Sequence, residues 1–328
     1  MGGFARVFPL PGRWNGVCCS GMGRPGGGAD EPWSEGLDMK TIRCGLLPGE
    51  SKPVVARLNE PLRAYLQQCL GMRVELVIGE NYVATGEALR QGRLDLAYLG
   101  PVTYILQSRA AGLVPFARPS HGGSAGPTFK AAIVVASDSP VECLSQLRGA
   151  EVALGDLAST SGSWVPRHML LAAGLSAERD YVRRHLGAHD AVATAVLERR
   201  FRAGGLSLPI YQRLLAEGRL PPGGLRLLAE SSAIPEYMWT FREGLPQELQ
   251  LALRQAFVEL RDQEALGAYR AESFIPAVDA DVDRVRRWME ELLQARLQGS
   301  EHGLYREHLA AGPGPLGRLG RQPAGAAA

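Results

Sequence analysis

Short apolar runs alternate with longer amphipathic segments through most of the chain. The first part of this pattern predicts strands at 41–47, 74–78, 94–99 and 113–117, separated by helices at 52–70, 82–91 and 102–111. Such repetition of strand and helix is typical of α/β proteins built on parallel sheets. We therefore predict a parallel-type sheet flanked by helices in this part of the chain.

A glycine-rich linker at 122–127 interrupts the alternation, which then restarts. The second series predicts strands at 129–136, 151–154, 181–186, 203–208 and 225–229, with helices at 141–147, 161–173, 189–199 and 211–217. A second crossing near 233–241 leads into a helical region at 246–298, where Val285, Trp288, Met289 and Leu292 share one helix face. Two α/β units that the chain connects twice predict a bilobed protein with a cleft. We place lobe 1 at 39–125 plus 236–300, and lobe 2 at 126–235.

The two ends of the chain lack this pattern. Residues 1–38 contain ten glycines and no regular hydrophobic period, and the C-terminal end is rich in Gly, Pro and Ala. We therefore predict disordered segments at 1–38 and 301–328. The first of these also lacks the uninterrupted apolar stretch of a secretory signal. We expect either that Met39 is the true start or that an export signal is missing from the chain as given.

Composition narrows the function classes. The 328 residues include 36 basic and 34 acidic side chains, a net charge of +2, so charge gives no reason to expect nucleic acid as a partner. Five cysteines are an odd number without metal-type spacing, which indicates neither a disulfide framework nor a zinc site. No run of 18 apolar residues is present. We predict no cofactor and no metal ion.

The segment 155–166 carries the strongest chemical signal. Here a short strand breaks into a helix start with three consecutive hydroxyls, Ser159, Thr160 and Ser161, followed by Gly162 and then Pro166 in the first helical turn. The first backbone N–H groups of a helix have no intrahelical partner and lie at the positive end of its dipole, so they favour an oxyanion. The alternative is an ordinary helix cap, since Ser and Thr are preferred at that position in any protein.

Three further junctions resemble this one, each a glycine followed by polar or aromatic residues that open a helix. They lie at 79–82, 100–104 and 187–190. In open α/β sheets, ligands bind beyond the carboxyl ends of strands, where helix N-termini point. Four such junctions facing one cleft predict a site for a small oxyanion.

Five segments, in order and with compatible spacing, carry a resemblance to a known family. They are Gly45-Leu46-Leu47-Pro48, Asn81-Tyr82, the run from Leu94 to Pro101, Ser159-Thr160-Ser161-Gly162 with Val165-Pro166, and Gly187-Ala188-His189-Asp190-Ala191. From about 41 to 298 the chain resembles the phosphate/phosphite/phosphonate-binding proteins of ABC importers. That resemblance implies the bilobed type II periplasmic-binding-protein fold.

The resemblance also implies a set of ligand-binding residues from both lobes: Tyr82, Tyr104, Ser159, Thr160, Ser161, His189 and Arg202. Ser159, Thr160 and the backbone at Ser161 would hold the phosphonyl oxygens, and His189 would donate from a facing helix start. Tyr82 and Tyr104 would close the site from lobe 1. Hydroxyl, imidazole and phenol groups can all donate to phosphorus-bound oxygens. The alternatives are that the tyrosines only pack and that His189 caps its own helix.

Two positions depart from the family's pattern. Phe129 stands where related proteins usually have a tyrosine, so it offers no hydroxyl. Arg202 stands where they often have an aspartate; pointing inward it would favour a fully ionised ligand, and pointing outward it would be a solvated surface residue. The choice among phosphonate, phosphite and phosphate stays open at this point.

We therefore expect a non-enzymatic, monomeric solute-binding protein of an ABC importer. It would bind a small phosphorus oxyanion, present its closed form to a membrane permease, and work in the periplasm. A cytosolic oxyanion sensor of the same fold is the first alternative, and a fold-related biosynthetic enzyme is the second. Against an enzyme, the candidate residues contain no set of nucleophile, base and orienting group.

Overall fold

The computed structural model describes residues 41–298, apart from 109–111 and 124–125. The segments predicted to be disordered, 1–38 and 301–328, lie outside the described residues. The strands are β1 (Thr41–Leu46), β2 (Arg73–Ile78), β3 (Leu96–Leu99), β4 (Leu113–Ser120), β5 (Thr128–Phe129), β6 (Ala131–Ala136), β7 (Glu151–Leu154), β8 (Val182–His185), β9 (Ala203–Ser207), β10 (Leu225–Glu230), β11 (Ile234–Pro235), β12 (Met238–Arg242) and β13 (Ser273–Pro276). The α-helices are α1 (Lys52–Leu70), α2 (Tyr82–Arg90), α3 (Pro101–Ser108), α4 (Val165–Ala172), α5 (His189–Leu197), α6 (Leu208–Ala216), α7 (Gln247–Glu259), α8 (Gln263–Gly267) and α9 (Asp283–Gln298).

Two mixed sheets organise these elements. The first has the strand order β13-β4-β12-β3-β1-β2, and the second has the order β10-β6-β9-β7-β8. In the first sheet β1 runs parallel to β2 and β3, whereas β12 is antiparallel to β3 and β4. In the second, β7 runs parallel to β8 and β9, whereas β6 is antiparallel to β9 and β10. Each sheet thus combines predicted parallel pairs with antiparallel strands that the alternation of strand and helix did not predict.

The chain passes between the two sheets at 121–130 and again at 231–237. The short strands β5 and β11 pair antiparallel at these crossings, with Phe129 opposite Ile234 and Thr128 opposite Pro235. The backbone N–H of Glu236 also donates to the carbonyl of Pro127, at 3.0 Å. The two crossings are therefore joined by main-chain hydrogen bonds.

Two predicted elements differ from the structure. Over 141–147 the structure has a single 3₁₀ turn, Leu144–Leu147, in place of an α-helix, because the Gln146 side chain accepts from the backbone N–H of Glu142 at 2.6 Å and so competes with helix formation. The region 246–298 contains the strand β13, which was predicted as helix. This strand has four residues, too few for hydrophobic periodicity to mark it.

The last helix connects the parts of the protein built on the two sheets. Val285, Met289 and Leu292 are buried along one face of α9, and Trp288 packs beside them, as predicted. This face contacts α3, which follows a strand of the first sheet, and α4, which follows a strand of the second. No helix in the described ranges is both long and apolar enough to cross a membrane. The same residues contain no group of three metal-ligating side chains.

Candidate oxyanion-binding site

The segment after β7 forms a tight helical turn. Ser159 is the N-cap residue, and its Oγ accepts from the Gly162 backbone N–H at 3.0 Å. Thr160–Trp164 then forms one π-helical turn before α4 begins. Since Gly162 N–H is bonded, the N–H groups of Thr160 and Ser161 are the first-turn donors that an oxyanion could use. Single π-turns of this kind recur at functional sites.

This turn lies against the starts of two helices from the other sheet. Thr160 Oγ1 accepts from the Val102 N–H of α3 at 3.0 Å, and Asp156 Oδ2 accepts from the Tyr82 N–H of α2 at 3.1 Å. In return, Thr103 Oγ1 donates to the carbonyl oxygen of Ala158 at 3.1 Å. Side chains of one half therefore satisfy helix N-termini of the other, which brings three of the four predicted junctions together.

His189 is the first residue of α5 and lies at the fourth junction. Its side chain is buried, and its Nδ1 accepts from the Ser207 backbone N–H at 3.2 Å, so the proton of the neutral ring resides on Nε2. Burial lowers the pKa of His189 to about 4, although Asp190 opposes this. At neutral pH the ring is therefore uncharged and can donate one hydrogen bond from Nε2. A Cβ atom at Gly162 would lie 2.8 Å from His189 Cε1, and one at Gly49 would lie 3.8 Å from Cδ2. Nε2 therefore faces the gap between these two glycines.

Two tyrosines approach the same gap from the other half. Burial, followed by interaction with Tyr237, raises the pKa of Tyr82 well above its usual value. The pKa of Tyr237 rises to about 12, chiefly because it is buried, while hydrogen bonding with the hydroxyls of Tyr82, Ser159 and Ser161 lowers it. These influences require the four hydroxyl groups to lie close together. Both phenols stay protonated at neutral pH and can donate hydrogen bonds.

A cavity of about 220 Å³ lies beside this cluster; Tyr82, His189 and Tyr237 line it, whereas Ser159, Thr160 and Ser161 are buried and are not among its lining residues. We call the part of the cavity that is lined by Tyr82, His189, Ser207 and Tyr237 its inner end. Phe129 lies in its wall, with its ring edge-on to Tyr237 at a centroid distance of 5.8 Å. At the position where the family usually has a tyrosine, the chain thus has an apolar ring, and the phenol hydroxyls at this end of the cavity come from Tyr82 and Tyr237.

Two predicted site residues lie elsewhere. Arg202 is exposed and directly precedes β9, at the end of that strand opposite to Ser207, so the structure does not bring its side chain to the cavity and agrees with the outward alternative. Tyr104 is buried, but its hydroxyl donates to Asp279 Oδ1 at 2.7 Å, in the turn that precedes α9. The structure therefore does not bring the Tyr104 hydroxyl to the cavity. The other five predicted residues, Tyr82, Ser159, Thr160, Ser161 and His189, converge.

Gly49, Ser207 and Tyr237, which lie close to His189 and Tyr82, were not among the predicted site residues. Gly49 follows β1, and Ser207 ends β9 immediately before α6. The rule that ligands lie beyond the carboxyl ends of strands could have indicated both. Tyr237 has no such signal, because it lies in the second chain crossing before a strand begins.

Comparison with solved structures defines the class of fold. A binding-protein component of an ABC phosphonate transporter from Pseudomonas aeruginosa superposes with a TM-score of 0.73 at 20% identity, covering 84% of this chain and 93% of that one. PhnD1 of Prochlorococcus marinus, solved in complex with methylphosphonate, gives 0.71 at 19% identity, covering 78% and 99%. The predicted bilobed type II periplasmic-binding-protein fold is thereby confirmed.

Sequence comparison then places the chain in a family. Residues 44–282 match the family described as "ABC transporter, phosphonate, periplasmic substrate-binding protein", and the chain belongs to it. A curated relative is the phosphate-import protein PhnD of Mycolicibacterium smegmatis, 25% identical over 291 residues, 82% of this chain and 89% of that protein. The protein is thus a substrate-binding component of an ABC transporter, which confirms the prediction that it is not an enzyme.

Proposed function

We propose that this protein binds a phosphorus oxyanion, namely a phosphonate, phosphite or phosphate, at the inner end of the cavity. The convergence of four hydroxyl groups with the neutral His189 ring, beside the first-turn N–H groups of Thr160 and Ser161, carries the proposal. Each group can donate to an oxygen that carries negative charge, and burial strengthens each bond by excluding water. Two similar proteins support the same ligand class: the M. smegmatis protein is named a phosphate-import protein, and the P. marinus protein was solved in complex with methylphosphonate.

The binding roles follow from position. Ser159, Thr160 and Ser161, with the first-turn N–H groups, would hold the oxygens from one half, and Tyr82 and Tyr237 would donate from the other. His189 Nε2 would complete the set. All of these donors are uncharged, so the ligand's charge would be balanced by dipoles and hydrogen bonds, as helix N-termini allow.

We further propose that lobe 1 comprises 39–125 and 236–300 and that lobe 2 comprises 126–235. The paired crossings at β5 and β11 would act as the hinge, and closure would bring Asp156 and Thr160 onto the helix starts of lobe 1. The closed protein would work as a monomer in the periplasm and deliver its ligand to a membrane permease. That location is described for the family.

Isothermal titration with phosphate, phosphite and methylphosphonate tests the proposal. We expect 1:1 binding of at least one of them, and a loss of at least tenfold in affinity for Ser159→Ala combined with Thr160→Val. Ser145→Ala with Thr194→Val, two exposed positions, is the matched control. Because Thr160 also accepts from Val102 N–H, the melting temperature of each variant is measured alongside. Unchanged affinity in the first double variant would refute the site assignment.

A further inference from the structure

We propose that the cavity selects phosphonates with an uncharged aliphatic substituent, in preference both to inorganic phosphate and to aminoalkylphosphonates. The inference rests on the proposed function, since it places the phosphorus oxyanion at the inner end of the cavity. It concerns the rest of the cavity, the character of its walls, and the charged groups among its lining residues.

The cavity is larger than a phosphate ion requires. An engineered protein cavity of about 150 Å³ binds benzene, which has six heavy atoms. By the same ratio, the 220 Å³ present here would hold about nine heavy atoms, whereas phosphate has five. A ligand with a short chain on phosphorus therefore fills the space, while phosphate leaves part of it to water.

The walls beyond the oxyanion end are mainly apolar. They are formed by side chains from α1, α6, the first chain crossing and the segment after α8: Val55, Leu58, Phe129, Ile210 and Tyr269. Val55, Phe129 and Tyr269 are buried. Water held against these side chains is released when an alkyl group replaces it, which favours binding.

The carboxylate of Glu50 lines the cavity but is already neutralised. It is buried, with a residue exposure of 5%, and forms ion pairs with Arg213 and with Arg219, the latter at 3.2 Å. Arg219 also pairs with Asp190 at 2.7 Å. Arg213 and Arg219 therefore already pair with Glu50, and an ammonium group entering the cavity would have to compete with two cations for this carboxylate.

The second cavity-lining carboxylate, Glu236, is neutralised in the same way. Its Oε1 lies 2.7 Å from His121 Nε2 and 3.3 Å from Arg270 Nη2, and its Oε2 accepts from the Tyr237 backbone N–H at 3.2 Å. His121 Nδ1 lies 2.9 Å from the Arg270 carbonyl oxygen, so both of its ring nitrogens face acceptors and the ring bonds fully to them as an imidazolium. Bonding to Glu236 raises the pKa of His121, in agreement with this.

An ammonium group that enters the cavity would lose its hydrating water. Among the described residues that line the cavity, the two carboxylates, Glu50 and Glu236, already have cationic partners, so neither is unpaired. A buried charge without a partner is strongly disfavoured, whereas an alkyl group of the same size meets the apolar walls. The ranking of ligands follows from this difference.

Titration with two ligands of equal size tests the inference directly. Propylphosphonate and 2-aminoethylphosphonate have the same number of heavy atoms and differ in a terminal methyl against a terminal ammonium. We expect propylphosphonate to bind at least tenfold more tightly than both 2-aminoethylphosphonate and phosphate. Equal or tighter binding of 2-aminoethylphosphonate or phosphate would overturn the inference and leave the proposed function standing. Binding of none of the three, nor of methylphosphonate or phosphite, would overturn both.

A charge introduced into the apolar wall provides the second measurement. Leu58→Asp places an unpaired carboxylate in the cavity wall, and Leu58→Asn is a control of the same shape without the charge. We expect the affinity ratio of 2-aminoethylphosphonate to propylphosphonate to rise at least tenfold in Leu58→Asp relative to Leu58→Asn. Equal ratios in two folded variants would show that wall charge does not govern selection and would overturn the inference.

Discussion

The close approach of Gly162 to His189 permits a quantitative prediction. A Cβ atom at Gly162 would lie 2.8 Å from His189 Cε1, 2.9 Å from Ser159 Oγ and 3.2 Å from Gly155 Cα. Contacts this short force the neighbours to move, and overpacking of this kind costs about 1–3 kcal/mol. The groups displaced are two of the proposed ligand donors, so Gly162→Ala should weaken binding as well as folding. If the ligand needs both donors in their original places, this cost must be met again on binding, and at about 1.4 kcal/mol per factor of ten the expected loss of affinity is about 5-fold to 140-fold.

The assay measures ligand affinity by titration and stability by thermal unfolding of the same samples. Gly244→Ala is the control, because a Cβ atom there would meet only the flexible Arg242 guanidinium, at 3.0 Å. We expect Gly244→Ala to keep both properties near those of the parent protein. If Gly162→Ala binds with unchanged affinity, the 159–162 turn and His189 do not form one binding surface, and the reasoning fails.

Three further predictions concern hydroxyl, proton and charge. Tyr237→Phe should reduce oxyanion affinity about fivefold or more, with little change in melting temperature, since it removes one donor of about 1 kcal/mol; full affinity would exclude Tyr237 as a ligand group. Burial lowers the pKa of both His185 and His189 to about 4. Between the unfolded value near 6.5 and about 4, the unfolded chain therefore binds more protons than the folded protein, and stability should fall as pH falls through this window. A pH series of melting temperatures that stays flat would contradict this prediction. Glu50→Gln leaves Arg213 without its buried partner and should lower the free energy of unfolding by about 1–3 kcal/mol in denaturant titrations; no loss would indicate that the pair is solvated.

Much of the fold was predictable because its signals are local. Amphipathic periods and glycine ends marked the helices before and after each parallel strand, and the helix start at Ser159 was recognisable from residue types alone. The antiparallel strands β12 and β13 were harder, because their partners in β3 and β4 are more than a hundred residues away in sequence.

Site residues that directly follow the end of a strand could be predicted from the sequence. Site residues whose role depends on the direction of the side chain could not. His189 and Tyr82 follow strand ends, so the sheet rule brings them together. Nothing local distinguishes Tyr104, whose hydroxyl reaches Asp279, from Tyr237, whose hydroxyl reaches the serines. Arg202 shows the same limit. It lies at one end of β9, where it is exposed, whereas Ser207 at the other end of β9 lines the cavity.

The hydrogen bonds from Tyr82 N–H to Asp156 and from Val102 N–H to Thr160 have a consequence for measurement. If the lobes part as proposed, both amide protons are released to solvent in the same event, although they begin different helices. Their hydrogen–deuterium exchange should then show one common protection factor, and ligand should raise both protection factors by the same ratio. Two amides in an unlabelled protein would thereby report the free energy of cleft opening, with and without ligand.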